Sequence, residues 1–141
     1  MDFSALLLTL IAVPLVAGLF MAVLPSKAVP RVAYEAIHLL SVTAACVLSL
    51  AVVVHVMAGG KPVDALGMWL HLDALGSVFV ALIGVIGFLT GLYSVPYVRN
   101  DVAIGHMNNA RVKQFYLFFS LFIFTMLVVA TSNNIILMWV G

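Results

Sequence analysis

The chain has 141 residues, of which 65% are hydrophobic and only 8% are charged. This apolar excess excludes an ordinary soluble domain and predicts an integral membrane protein in contact with the lipid bilayer. The formal net charge is +1 and no basic run occurs, which excludes nucleic acid as a partner. The single cysteine, Cys46, excludes a disulfide framework or a cysteine-ligated metal cluster built from this chain alone.

Long stretches without Asp, Glu, Lys or Arg predict an all-α, polytopic membrane protein. They cover residues 3–25, 36–60, 74–98 and 114–141, and the polar run Ser132-Asn133-Asn134 divides the last one. We therefore predict four complete transmembrane helices plus the first half of a fifth. The predicted ranges are about 3–24, 33–58, 73–98 and 115–131, with an incomplete fifth helix over 134–141. No soluble domain is predicted, so residues 1–141 form one membrane segment.

The first helix and the loop charges predict the orientation of the chain. A secretory signal peptide is the alternative for the N-terminus, but its leading end holds Asp2 and no Lys or Arg, and its apolar run is too long. We therefore interpret it as a retained helix. The loops at 25–33 and 99–114 hold five of the six Lys and Arg residues. The positive-inside rule places both loops in the cytoplasm and the N-terminus outside.

Very few ionisable side chains occur within the predicted spans. Glu35 and His38, three residues apart near the start of the second helix, share one helix face. Buried ionisable groups in a membrane are candidate functional residues by default, so these two and Asp73 are the candidates for a proton path. The alternative for Glu35 and His38 is a polar pair that reaches the membrane interface. The alternative for Asp73 is an N-cap of the third helix.

No pattern in the sequence predicts a metal, a cofactor or an active site. A di-iron centre would need a second Glu-x-x-His motif besides the one at Glu35 and His38. His38 and His55 lie about 25 Å apart along one helix and cannot bind one haem between them. Phosphate-binding glycine loops, nucleophile elbows and His-Glu-x-x-His motifs do not occur. We therefore predict a non-catalytic chain that carries no cofactor.

The third helix contains three glycines at positions suited to helix packing. They are Gly84, Gly87 and Gly91. The last two form a Gly-x-x-x-Gly spacing, which is typical of a helix face in near backbone contact with a partner helix. We predict that Gly87 and Gly91 lie on one such contact face.

The last apolar segment of the sequence is short. Nine residues from Asn133 extend about 13 Å as a helix, whereas a complete span needs about 20 residues. We therefore expect these 141 residues to be an N-terminal fragment of a larger subunit.

Residues 69–98 and 115–141 resemble the N-terminal part of antiporter-like, proton-conducting membrane subunits. This family is shared by respiratory complex I, multisubunit Mrp-type cation/proton antiporters and membrane-bound hydrogenases. Its third helix opens with Asp-Ala/Gly-Leu and ends with Tyr-Ser-x-x-Tyr. The matching residues are Asp73, Ala74, Leu75, Tyr93, Ser94 and Tyr97, followed by Asn133 and Asn134 before the fifth helix. The amino-acid sequence from Trp69 to Trp139 is most similar to the hydrogenase-4 component F branch of this family, the formate-hydrogenlyase type.

The resemblance implies a proton-translocating subunit in the inner (plasma) membrane of a bacterium or archaeon. Such a subunit couples redox chemistry on partner hydrogenase or dehydrogenase subunits to ion movement, together with other membrane subunits. The alternative from a different class is a stand-alone four-helix transporter or membrane anchor. A small proton-coupled exporter needs a carboxylate deep in a helix, and no Asp or Glu lies near the middle of a predicted span.

Overall fold

The computed structural model describes residues 2–59, 61–67 and 69–133. Within them the chain forms four helices and one short hairpin. The helices are α1 (Phe3–Val23), α2 (Arg31–Met57), α3 (Ala74–Ala103) and α4 (Asn109–Thr131). All four are long and apolar enough to cross a membrane, which confirms a multi-pass membrane protein. The predicted half of a fifth helix, at 134–141, lies outside the described residues.

The helices form a bundle in which α2 packs most extensively against α3, and α1 packs against both α4 and α2. A large apolar cluster, which includes Leu7, Leu10, Val52 and Leu127, fills the bundle towards the hairpin. A smaller cluster lies at the opposite end, near the α1–α2 and α3–α4 loops, and contains Tyr34 and Tyr116. The polar site described below lies at this second end.

A short hairpin between α2 and α3, which the sequence did not predict, accompanies the four helices. Strands β1 (Val63–Ala65) and β2 (Leu70–Leu72) pair antiparallel, with Asp64 opposite His71. All four flanking apolar residues of this register are buried, whereas Asp64 is exposed. Each strand has only three residues, so the alternation is too short to stand out beside long apolar helices.

Two helices extend further than the hydropathy pattern predicts. The third helix was expected to end near 98 but continues to Ala103, and the fourth begins at Asn109 instead of 115. The charged and polar residues at these ends leave the apolar pattern but remain helical. Asn108 caps α4 by accepting a hydrogen bond from the backbone N–H of Arg111 at 3.0 Å. The start of α4 is therefore set by this cap rather than by the limit of the apolar run.

The glycines of α3 face two different helices, which corrects the prediction that Gly87 and Gly91 share one contact face. A methyl group at Gly91 would lie 2.9 Å from Val42 of α2, and one at Gly84 would overlap the Ser49 side chain of the same helix. A methyl group at Gly87 would instead meet Ile123 of α4 at 2.9 Å. At about 100° per residue, Gly84 and Gly91, seven positions apart, are offset by only about 20° around the helix axis, so both can face α2. Gly87 and Gly91, four positions apart, are offset by about 40°.

Candidate functional site

The candidate site lies at the end of the bundle where the α1–α2 and α3–α4 loops meet. Asn109, at the start of α4, donates its side-chain amide to the carbonyls of Ser26 and Val29, the latter at 2.9 Å. Lys113 donates to the carbonyl of Leu24 at 2.6 Å, just beyond the end of α1. Both side chains fix the loop that leads into α2, and α2 carries the first titratable residues of the site.

A buried carboxylate in α2 pairs with an arginine of α3. Glu35 Oε2 accepts hydrogen bonds from Arg99 Nη2 at 2.7 Å and from Arg99 Nε at 3.0 Å. The Glu35 side chain is only 5% exposed, whereas that of Arg99 is 61% exposed. The ion pair therefore connects a carboxylate inside the bundle to a guanidinium that meets the outside.

His38 lies one helical turn deeper than Glu35 and is fully buried. Its Nε2 is 3.2 Å from the carbonyl oxygen of Gly91 and 3.1 Å from Ser94 Oγ. The Ser94 hydroxyl donates to the same Gly91 carbonyl at 2.7 Å. Because Gly91 has no side chain, the imidazole can reach the α3 backbone directly. The same glycine therefore serves both the close approach of the helices and the polar contact.

Aromatic side chains of α4 enclose the imidazole. The ring centroid of His38 lies 4.5 Å from that of Tyr116 and 4.8 Å from that of Phe119, the latter edge-on. Tyr34, one turn before His38 on α2, is also fully buried. Tyr34 and Tyr116 belong to one apolar cluster that also contains Met21 of α1. These aromatic side chains exclude bulk solvent from His38, so its polar contacts form at a low local dielectric constant.

This arrangement can hold and exchange a proton at two side chains, a carboxylate and an imidazole, that share one face of α2. The described residues contain no group of three or more His, Cys, Asp or Glu side chains that could hold a metal ion. The site contains two such ligands, and the Glu35 carboxylate is already bound by Arg99. The site therefore combines one carboxylate held by an arginine with one imidazole held by a backbone carbonyl.

Asp73, the third proton-path candidate, lies at the other end of the bundle. Its carboxylate caps α3 by accepting a hydrogen bond from the Gly76 N–H at 2.7 Å. The 18 residues between Asp73 and Gly91 correspond to about 27 Å of helix. The structure thus does not bring Asp73 to Glu35 and His38.

The other polar residues at the hairpin end have local partners. His71 Nδ1 donates a hydrogen bond to the Asp64 carboxylate across the hairpin at 2.6 Å. The backbone N–H of Asn133 donates to the carbonyl of Trp69 at 3.0 Å, which ties the end of α4 to the hairpin. Asn134, the last residue of the family motif, lies outside the described residues.

Of the three motif residues at the end of α3, one contacts the site. Ser94 is buried against His38, whereas Tyr93 and Tyr97 are 74% and 52% exposed. Sequence reasoning missed Arg99, which pairs with Glu35, and Tyr116, whose ring lies beside that of His38. It also missed Tyr34, which belongs to the same apolar cluster as Tyr116.

Comparison with known proteins places this chain beside subunits of multisubunit membrane complexes. It is 35% identical over 78 residues to the hydrogenase-4 component F homolog of Methylacidiphilum infernorum (isolate V4), a match that covers 55% of this chain and 16% of that protein. It is 36% identical over 70 residues to the antiporter subunit mnhA2 of Staphylococcus haemolyticus (strain JCSC1435), covering 50% of this chain and 8% of that protein. No protein-family model matches the chain.

Proposed function

We propose, for a chain that is similar over about half its length to antiporter-like membrane subunits, that it forms the N-terminal membrane part of a proton-translocating subunit. The parent complex is of the hydrogenase-4 and formate-hydrogenlyase type or of the complex-I type. Hydrogenase or dehydrogenase subunits in that complex carry out the redox chemistry, and other membrane subunits are its neighbours. In this proposal the chain itself is non-catalytic and carries no cofactor.

The observation that supports this proposal most strongly is a carboxylate and an imidazole buried between apolar helices. Ionisable side chains buried within membrane helices are rare and mark proton or ion paths by default. Glu35 and His38 lie near one end of α2, where the charge of Glu35 is balanced by Arg99. The proposed path therefore passes a proton between the solvent at this end of the bundle, next to Arg99, and the buried imidazole of His38.

The proposed orientation follows from the charges at this end of the bundle. The loops at 24–30 and 104–108 meet there through Asn109, and the positively charged residues cluster around them. The positive-inside rule assigns this end to the cytoplasm of a bacterial or archaeal cell. Glu35 and His38 then exchange protons with the cytoplasm, and Asp73 lies at the opposite surface.

Co-purification from native membranes tests the proposed function. A tagged chain, extracted in mild detergent from cells that express its parent complex, should retain hydrogenase or dehydrogenase subunits identifiable by mass spectrometry. The Glu35→Gln variant should retain the same subunits, because the Glu35 side chain lies inside the bundle rather than on its outer face.

The alternative hypothesis, a stand-alone transporter, predicts that the chain purifies without partner subunits. A chain that purifies without partners, and alone in liposomes dissipates an imposed pH gradient in a manner lost on Glu35→Gln, would contradict the proposed function. In that case the four helices themselves would be the transporter.

A further inference from the structure

Five buried polar side-chain atoms have no hydrogen-bond partner in the described part of the chain. One is Oδ1 of Asn109, at the start of α4, and the other four are Nδ1 of His38 and the side-chain oxygens of Tyr34, Tyr116 and Ser120. Tyr34 precedes His38 by one turn on α2, and Ser120 follows Tyr116 by one turn on α4. All four side chains are at most 1% exposed. The rings of His38 and Tyr116 lie 4.5 Å apart, and Tyr34 belongs to the same apolar cluster as Tyr116, so α2 and α4 face each other at these residues.

The contacts of Nε2 determine which nitrogen of the neutral imidazole carries the proton. The Gly91 carbonyl can only accept, so the 3.2 Å contact requires Nε2 to donate its hydrogen. The single hydrogen of the Ser94 hydroxyl is already given to that carbonyl at 2.7 Å, so Ser94 cannot also donate to Nε2. Neutral His38 is therefore the Nε2–H tautomer, and its basic lone pair is on Nδ1, the nitrogen without a partner.

We propose, as a refinement that rests on the proton-translocating function, that Tyr34, His38, Tyr116 and Ser120 bind water, and that this water delivers the proton to His38 Nδ1. Buried polar atoms in proteins are nearly always satisfied, and internal water is the usual partner when two to four of them converge. Water donates to the Nδ1 lone pair and accepts from the tyrosine or serine hydroxyls, so each unpartnered atom gains a partner of the right kind.

Proton uptake at this site is balanced within the residues described. A hydronium ion or protonated water chain gives one proton to Nδ1, the Nε2–H bond to Gly91 stays intact, and the imidazole gains one positive charge. The titratable and charged groups that face it are Tyr34 and Glu35 from α2, Arg99 from α3 and Tyr116 from α4. Glu35, one turn away, is the group that can exchange this proton with the solvent at this end of the bundle.

Nitrogen NMR of the full chain in lipid nanodiscs, with ¹⁵N-labelled histidine, tests the proposal. The ring nitrogen shifts distinguish the two tautomers, and His38→Gln identifies the signal that belongs to His38. We expect the Nε2–H tautomer at neutral pH and magnetisation transfer from water to the buried ring. The Nδ1–H tautomer, or a ring without transfer from water, would overturn the proposal.

Removal of the hydroxyls tests which residues bind the water. The double variant Tyr116→Phe, Ser120→Ala keeps the apolar volume and should lose the transfer from water to His38. Tyr93→Phe, which removes an exposed hydroxyl, is the matched control and should leave the transfer unchanged. If the double variant fails to fold, Tyr116→Phe alone should weaken the transfer, and unchanged transfer in either variant would contradict the assignment. These measurements require no transport, so they can succeed or fail independently of the proposed function.

Discussion

The two partners of the Glu35–Arg99 ion pair are in different surroundings. The carboxylate is inside the bundle, and the guanidinium is largely outside it. Losing one partner of a buried pair is costly mainly because the other charge is left buried and alone. Arg99 can turn towards solvent or lipid headgroups when Glu35 is removed, whereas Glu35 has no such freedom.

We therefore expect unequal effects from the two neutralising substitutions. Arg99→Gln should lower the free energy of unfolding more than Glu35→Gln, measured by SDS titration of the chain in mixed micelles. The double variant should be more stable than Arg99→Gln alone, since it removes the unpaired carboxylate. Arg111→Gln is the control, because that side chain is exposed and makes one long contact to the His106 carbonyl at 3.4 Å. Equal losses from Arg99→Gln and Arg111→Gln would contradict the structural role of the pair.

The spacing of Glu35 and His38 predicts a shared helix face, but the partners of these residues are not evident from the sequence. Arg99 was assigned to a cytoplasmic loop because the apolar run ends before it, whereas α3 continues and returns the guanidinium to Glu35. A long, flexible side chain can reach back along its helix in this way. Hydropathy locates the membrane boundary of a helix, but it does not show which residues its long side chains contact.

At the level of elements, glycine positions set how closely α3 approaches its neighbours. Two of its glycines meet stiff or short side chains of α2, Val42 and Ser49, and Gly87 meets the flexible end of Ile123 on α4. A β-branched valine has little rotamer freedom in a helix, whereas the Ile123 terminal methyl can rotate away. The α2–α3 contact should therefore tolerate less added volume than the α3–α4 contact.

Alanine substitutions of these glycines test this difference. Gly84→Ala and Gly91→Ala should each destabilise the bundle by about 1–3 kcal/mol through overpacking. Gly87→Ala should be near neutral, because the helix-propensity gain of about 1 kcal/mol offsets a small shift of Ile123. Leu89→Ala, at an exposed position of the same helix, controls for general effects. The opposite order in SDS titrations would place the tight contact on α4.

The sequence identifies the helices well because each is a long apolar run, but it does not identify the hairpin. A three-residue strand such as Val63–Ala65 gains its stability from the apolar cluster beneath it and from pairing with Leu70–Leu72. Both depend on contacts distant in sequence. The Gly-x-x-x-Gly pattern likewise indicates close packing without indicating which neighbour each glycine meets.

For the whole molecule, the structure brings the two basic loops to one end and the hairpin to the other. Five of the six Lys and Arg residues are near the first end. Single cysteines in a Cys46→Ala background report which end faces the cytoplasm. Pro62 and His106 are suitable positions because both are exposed, whereas Ala65 is buried in the hairpin.

In intact cells, a membrane-impermeant thiol reagent should label Pro62→Cys and should not label His106→Cys. Permeabilised cells should label both, which controls for reactivity. The reverse pattern in intact cells would invert the orientation and place Glu35 at the outer surface.

Proton translocation by the assembled complex tests the central claim most directly. Glu35→Gln and His38→Gln are introduced into the full-length subunit, and proton uptake into inverted membrane vesicles is measured while partner subunits perform their redox reaction. Both variants should assemble normally and lose most of the proton uptake, because each removes a titratable group at the proposed cytoplasmic end of the path. His106→Gln, in the exposed loop, should retain it. Unchanged proton uptake in both Glu35→Gln and His38→Gln would show that protons do not pass through this site.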